Sequence, residues 1–470
     1  MHKDILRIAI PSIVTNITVP LLGIVDLAIV GHISATSSAS IIGAVSVGTL
    51  IFNMVYWLFN FLRMGSSGLT AQAYGRRDVI SQQRILRMAL TVAVSCGILL
   101  IGLQRPIEWL AQWIIAPSAE VWTLAIAYFR IRIWAAPAVL ALFAMNGWLV
   151  GMQNSRYPMY IAIGQNLINI VASYLLVFHF QFSVEGVALG TVISQYAGLL
   201  AAWFFCRRQK KLSTYLSTND VDKGDFNTSQ QLNVDKTADN RASYQQSAVN
   251  IEWKTFFTVN RDIFLRMICL IAVTTAFTAY GARMGDTLLA VNTLLMQLFT
   301  LFSYFSDGFA LAGEALVGKT IGRKEPCRPL IGRLFGWGWS VAGVFTLLYI
   351  MAGPLLLRVF TQDTTVLEAA APYLPWACAI PMCGIAAFMW DGIYIGATHT
   401  RQMFLSLLVS AIVFFLCYEG GNRLFASAIH PNHLLWLAFL AYLLVRGLVL
   451  QLFAHQIEVP RKPQPQRQRR

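Results

Sequence analysis

The chain has 470 residues, 56% of them apolar and only 12% charged, with 36 Lys and Arg against 22 Asp and Glu and a net charge of +14. A soluble globular chain carries about 45–50% apolar and about 25% charged residues. This composition, with a mean hydropathy of +0.57, therefore excludes a soluble enzyme, a nucleic-acid-binding domain and a disordered scaffold, and fits a polytopic membrane protein whose basic excess lies in loops on one side.

A membrane helix needs about 20 mostly apolar residues. The first such stretch, 5–31, carries Pro11, Pro20 and Asp26 and has no small-residue cleavage site of a signal peptide. Further spans are predicted near 40–66, 86–104, 122–151, 158–180 and 185–206, and then near 262–283, 287–314, 331–352, 366–396, 403–418 and 433–455. The expected fold is all-α: twelve transmembrane helices in two six-helix bundles around a central cleft. The domains are a lobe over 1–206, a polar linker over 207–258, a second lobe over 259–455 and a basic tail over 456–470. Alternate loops hold 26 Lys and Arg on one side and four on the other, which predicts that both termini and the linker are cytoplasmic. The seven cysteines sit mostly in apolar runs without paired spacing, so no disulfide framework is expected. The histidines are scattered, and neither a metal nor a cofactor is expected.

The halves repeat. LIFNMVYWLFNFLRMGSSGLTAQAYGRRD (50–78) aligns with QLFTLFSYFSDGFALAGEALVGKTIGRKE (297–325) at a constant offset of 247, pairing Asn60 with Asp307 and Gly75 with Gly322. PAVLALFAMNGWLVG (137–151) parallels PMCGIAAFMWDGIYIG (381–396), matching Asn146 with Asp391. Each half crosses the membrane an even number of times, so the repeat is parallel, as in secondary transporters whose bundles rock about a central site. The Gly-x3-Gly pairs at 147/151 and 392/396 fit close helix contacts.

Polar residues inside spans need a partner, a hydrated cavity or a function. Asp26 lies deep in the first helix, and its repeat equivalent is the apolar Ala276. Asn166, Asn169 and Ser173 share one face of the fifth helix, and Thr191, Ser194 and Gln195 one face of the sixth, with Tyr128 and Asn146 on the fourth. These predict a polar cavity around Asp26. In the second half Thr293, Gln297, Thr300, Tyr304, Asp307 and Glu314 form a stripe matched by Ser46, Asn53, Asn60 and Ser67. Arg63 and Arg266 are candidate partners for Asp307 and Asp391, and Asp262 with Arg266 is expected to form a helix-end pair. Pro11 and Pro20 are expected to let the first helix bend.

PLLGIVDLAIVG in the first helix, FLRMGSSGLTAQAYGRRD after the second, and NRDIFLRM with DGFALAGEALVG in the second half resemble the MATE family of multidrug and toxic-compound extrusion transporters, most closely its DinF-type branch. The resemblance covers all but the linker around 212–250 and the basic tail. It implies cation-driven antiport of organic, cationic or amphiphilic solutes out of the cytoplasm, in the bacterial inner membrane and in contact with its lipids. Asp26 takes the place of the coupling carboxyl, with Asn169, Ser173 and Thr191 beside it. Pro11 takes that of the bending proline, and Tyr128, Asn146, Asn169 and Thr191 fall on family polar positions. Asn166, Asn60, Gln297, Asp307 and Asp391 are further cavity-lining candidates. Where a second acid often follows the fifth-helix Asn by four, this chain has Ser173, which weakens a sodium site of hard oxygen ligands and favours protons, sodium remaining the alternative ion. A lipid-linked oligosaccharide flippase would call for several deep cationic residues, of which the sequence shows Arg63 and Arg266. An intramembrane enzyme would call for an Asp-rich or His-containing cluster, and a receptor would not account for paired bundles. A monomer is expected.

Overall fold

The computed structural model describes residues 1–31, 38–115, 119–224, 252–361, 363–424 and 428–458, and these are helical with short connections. The N-terminal half comprises α1 (His2–Gly31), α2 (Ser38–Leu58), α3 (Phe61–Gly75), α4 (Val79–Gly102), α5 (Gln104–Ile115), α6 (Ala119–Arg132), α7 (Ala136–Gly151), α8 (Arg156–Tyr174) and α9 (Val184–Gly224). The C-terminal half comprises α10 (Trp253–Arg283), α11 (Asp286–Gly322), α12 (Arg328–Phe360), α13 (Thr364–Ala370), α14 (Leu374–Gly396), α15 (Thr400–Leu424), α16 (Pro431–Leu452) and α17 (His455–Glu458). Among the described residues eleven segments are long and apolar enough to cross a membrane, and α1, 30 residues long, occupies the remaining predicted span.

Several boundaries differ from the sequence expectation, for physical reasons. The second span breaks at 59–60 and continues as α3 to Gly75. At the break, Asn60 Oδ1 accepts from Arg63 Nε at 3.1 Å, which ties the break to the first turn of α3. The fourth and tenth spans each contain a 3-10 turn, Ile133–Ala135 and Ala371–Tyr373, just before Pro137 and Pro375, which lack the N–H an α-helix needs. α5, 12 residues long, is too short to span and was not predicted. α9 runs on through 207–224, the first part of the expected linker. It is tied down by Asn154 Nδ2 donating to Gln209 Oε1 (3.2 Å) and Ser213 Oγ donating to Gln82 Oε1 (2.9 Å).

The repeat is visible in the backbone. Arg77 and Lys324 both take left-handed φ values, 58° and 60°, as do Gln153 and Thr398 at 65° and 56°. Within each lobe a glycine permits close crossing: a Cβ on Gly147 would stand 2.1 Å from Arg63 O, and one on Gly392 2.0 Å from Ala310 O. Between lobes Gly75 and Gly322 do the same reciprocally, each Cβ meeting a carbonyl at 2.2 Å, that of Lys319 and of Gln72. These repeat mates therefore meet on a pseudo-two-fold axis.

The lobes also exchange their first helices. Ile5, Ile8 and Ala9 of α1 are buried in the core of the C-terminal lobe, and Phe256, Val259, Ile263 and Met267 of α10 in that of the N-terminal lobe. At the end of the bundle that carries the N-terminus, Gln72 Nε2 donates to Gly396 O (3.0 Å) and Thr398 Oγ1 (3.1 Å), and Gln153 Nε2 to Ala315 O (2.7 Å). The lobes are closed against each other at this end.

Candidate functional site

The matched polar stripes of the two lobes define the cleft. Ser46 and Asn53 on α2, and Thr293, Gln297 and Asp307 on α11, are exposed. Asn60 is half-buried, and Ser67 and Glu314, nearest the closed end, are buried. Ser67 and Glu314 are repeat mates and lie beside each other, so the cleft has its floor on the pseudo-axis. Arg63 Nη1 reaches Glu314 Oε2 across the lobes at 4.0 Å. Asp307 faces the open cleft within electrostatic reach of Arg63, Arg266 and Arg446.

Asp391 is buried and accepts from both Arg266 and Arg446. Arg266 also lies 3.7 Å from Met64 Sδ across the lobe boundary. The expected helix-end pair of Asp262 with Arg266 does not form. Asp262 instead accepts from Arg261 (2.9 Å) and Thr400 (3.3 Å), because Arg266 turns inward to the buried carboxylate. An unpaired Asp391 would leave a buried charge uncompensated, whereas Asp262 finds its partners in Arg261 and Thr400.

In the N-terminal lobe α1, α2, α6, α9 and α8 contact one another in sequence to form a closed ring. Inside it, Asn169 Nδ2 donates to Thr191 Oγ1 at 3.1 Å, and Thr191 Oγ1 donates to Val187 O at 3.0 Å. Ser173 packs where a Cβ on Gly190 would stand 2.3 Å from its Oγ. Asn169, Ser173 and Thr191 are thus brought together and buried, and Asn169 Oδ1 and Ser173 Oγ have no hydrogen-bond partner. Such a buried orphan costs about 1–3 kcal/mol, which a donor entering the chamber recovers. Among the described residues no three of His, Cys, Asp and Glu are grouped to hold a metal ion.

Tyr128 is buried with its hydroxyl bonded to Arg132. Asn146 is half-buried with Oδ1 unpartnered, and Asn166 Nδ2 donates to the α1 carbonyl of Thr18 at 2.8 Å. Pro11 removes a backbone donor from Arg7 O, and Ser155 Oγ supplies one, at 3.3 Å to Arg7 O and 3.0 Å to Ile8 O. Asp26 and Pro20 lie on the helical backbone of α1, but their side chains fall outside the described residues. Arg132 and Arg446 were missed. Arg446 stands alone in the apolar run YLLVRGLVL and Arg132 shares IAYFRIRIW with Arg130, and a charge interrupting an apolar run was the available signal. With Arg63 and Arg266 they make deep cations more numerous than Arg63 and Arg266 alone, and two of the four share the carboxylate of Asp391.

Two pseudo-symmetric bundles of membrane-spanning helices, joined at one end and holding a polar chamber, define a multi-pass membrane transporter rather than an enzyme. The MatE family model matches the chain twice, over residues 11–175 and 263–418, once per half, and the chain belongs to this family. It is similar to DNA damage-inducible protein F of Escherichia coli (strain K12), at 35% identity over 95% of this chain and 91% of that protein. Protein DETOXIFICATION 42 of Arabidopsis thaliana is 26% identical over 68% of this chain and 56% of that one. The crystal structure of MATE in the bent conformation shares the fold, with a TM-score of 0.78 at 17% identity, covering 97% of this chain and 95% of that one.

Proposed function

We propose that the protein is a proton-coupled antiporter that exports small amphiphilic organic solutes by alternating access. It works as a monomer in a bacterial inner membrane with both termini in the cytoplasm. The observation that carries this reading is the asymmetry between the lobes. Asp391, a buried acid of the C-terminal lobe, is held by two arginines, whereas the N-terminal chamber keeps two buried oxygens free for a donor. In this topology the closed end is cytoplasmic and the cleft opens outward.

The outward-facing state takes a proton at Asp26 and releases substrate; the inward-facing state loses the proton and rebinds substrate. Ser155 and Asn166 grip α1 beside Pro11 and Thr18, so a change of charge at Asp26 can be passed on as a change of bend. One charge crossing about 150 mV supplies roughly 3.5 kcal/mol, enough for a gradient of about 300-fold. Proton rather than sodium coupling is favoured because Ser173 stands where a carboxylate would complete a hard-oxygen site. Asp26→Asn is expected to abolish proton-driven efflux while the protein still folds, as measured by uptake of a fluorescent organic cation into inside-out vesicles under an imposed proton gradient. Normal efflux by this variant would overturn the assignment.

A further inference from the structure

Two buried carboxylates of the C-terminal half, Asp391 and Glu314, are held in different ways. Asp391 accepts hydrogen bonds from Arg266 and Arg446. Glu314 on α11 is 2% exposed, and its ion-pair partner among the described residues, Arg63 of the other lobe, stops at 4.0 Å, beyond hydrogen-bond distance. Glu314 Oε1 and Arg63 Nη1 are both buried without a hydrogen-bond partner. Arg63 has its hydrogen bond in its own lobe, from Nε to Asn60 Oδ1 at 3.1 Å.

The charged groups within electrostatic reach of Glu314 are Arg63 on α3, Arg266 on α10 and Asp307 on α11. Arg266 is committed to Asp391, and Asp307 is a second carboxylate on the same face of α11, two turns nearer the open end. Asp26 is remote: it stands 13 residues, about 20 Å, further along α1 towards the open end than Ile13, which lies against Gly308. Among the described residues Arg63 is thus the cation that faces Glu314.

Arg63 and Glu314 sit on the two elements that must part. α3 and α11 cross closely at Gly75 and Gly322, and Glu314 stands eight residues, about 12 Å, inside Gly322. Opening the closed end draws Arg63 away with α3 and leaves an uncompensated carboxylate on the way into the cleft. A bare charge in that place draws a cation. Closing brings the guanidinium back to the same carboxylate.

We propose that Glu314 is a cation subsite of the inward-facing state that takes the ammonium group of an organic amine. Arg63 occupies the subsite while that end is closed, and displaces the amine as it closes. The proposal rests on the alternating-access reading above and names a residue that recognises substrate from the cytoplasmic side. It fits the direction of exchange: the amine binds to the inward-facing protein that has lost its proton, and the returning Arg63 drives it towards the open cleft. A loose pair with unsatisfied atoms on both sides suits an occupant that is exchanged, whereas the hydrogen-bonded pairs of Asp391 suit a permanent one.

The test uses dansylcadaverine, a fluorescent primary amine, and its N-acetyl derivative, which is neutral on the same skeleton. Binding to purified full-length protein is read by energy transfer from tryptophan. The wild type is expected to bind the amine at least tenfold more tightly than the acetamide. Glu314→Gln removes that preference and leaves acetamide affinity within twofold. Arg63→Gln, which takes away the competing cation, tightens amine binding by several-fold, and Arg63→Lys stays within twofold of the wild type. The opposite signs of the two glutamine variants separate an exchangeable occupant from a structural ion pair, whose loss weakens binding from either side. No amine preference in the wild type, an undiminished preference in Glu314→Gln, or an amine affinity that falls or stays unchanged in Arg63→Gln overturns the proposal. Should Glu314→Gln fail to fold, Arg63→Gln decides by the sign of its effect. Binding needs no ion gradient, so the antiport reading fails separately: an amine preference that depends on Glu314, without coupled proton movement, sinks that reading and leaves the subsite.

Discussion

Asp391 holds two guanidinium groups, and removing its charge strands both. Asp391→Asn is expected to destabilise the protein by about 3–5 kcal/mol, the cost of leaving buried charge uncompensated, while Asp391→Asn with Arg446→Met recovers part of the loss. Thermal unfolding in detergent measures both, and a wild-type melting temperature for the single variant would contradict the pairing. Glu108 on α5 gives a pH signature outside the membrane spans. Its carboxyl is held below the ordinary value, chiefly by the hydrogen bond from Arg130, with burial opposing. A depressed carboxylate stabilises above its unfolded pKa of about 4.3 and loses that contribution as pH falls through its folded value. Glu108→Gln is therefore expected to be less stable than wild type at pH 7 and to converge with it in acid, as read from melting temperatures across pH. A gap that does not depend on pH would contradict this. At this scale the polar stripes of α2 and α11 and the cluster of Asn169, Ser173 and Thr191 were legible, because helical periodicity puts them on single faces. Arg446 was not, since its partner Asp391 comes from another helix, and neither was Arg132, which bonds to Tyr128 one turn earlier on α6 and to Thr49 on α2.

The crossing of α3 and α11 depends on two glycines. Gly75→Ala or Gly322→Ala places a methyl group 2.2 Å from a facing carbonyl, so the closed end must part, at about 1–3 kcal/mol for an overpacked contact. Spin labels replacing the exposed Arg87 and Glu325 are expected to show longer distances in either variant. An unchanged distribution with unchanged stability would contradict a tight crossing. Long apolar runs made the spans legible, but not their interruptions, because an apolar run continues through a 3-10 turn or a two-residue break. The extension of α9 was hidden by its polarity: CRRQKKLSTYLSTNDVDKG looks like a linker until Gln209 and Ser213 find partners on the body of the protein.

For the whole molecule, the constant offset of 247 made the parallel repeat legible, and the two matches of the family model fall one on each half. The exchange of α1 and α10 between lobes left no mark in the sequence, since a helix buried against the other lobe has the same apolar pattern as one buried in its own. That exchange makes α1 part of both bundles, and so a route by which a proton in one lobe can affect the packing of the other. The direct measurement is substrate-dependent proton movement in sodium-free vesicles of purified protein, for wild type and Asp26→Asn. The account predicts proton movement with the wild type and none with the variant, at equal reconstitution. Coupled movement that persists in Asp26→Asn, or that appears in the wild type only when sodium is added, would contradict it.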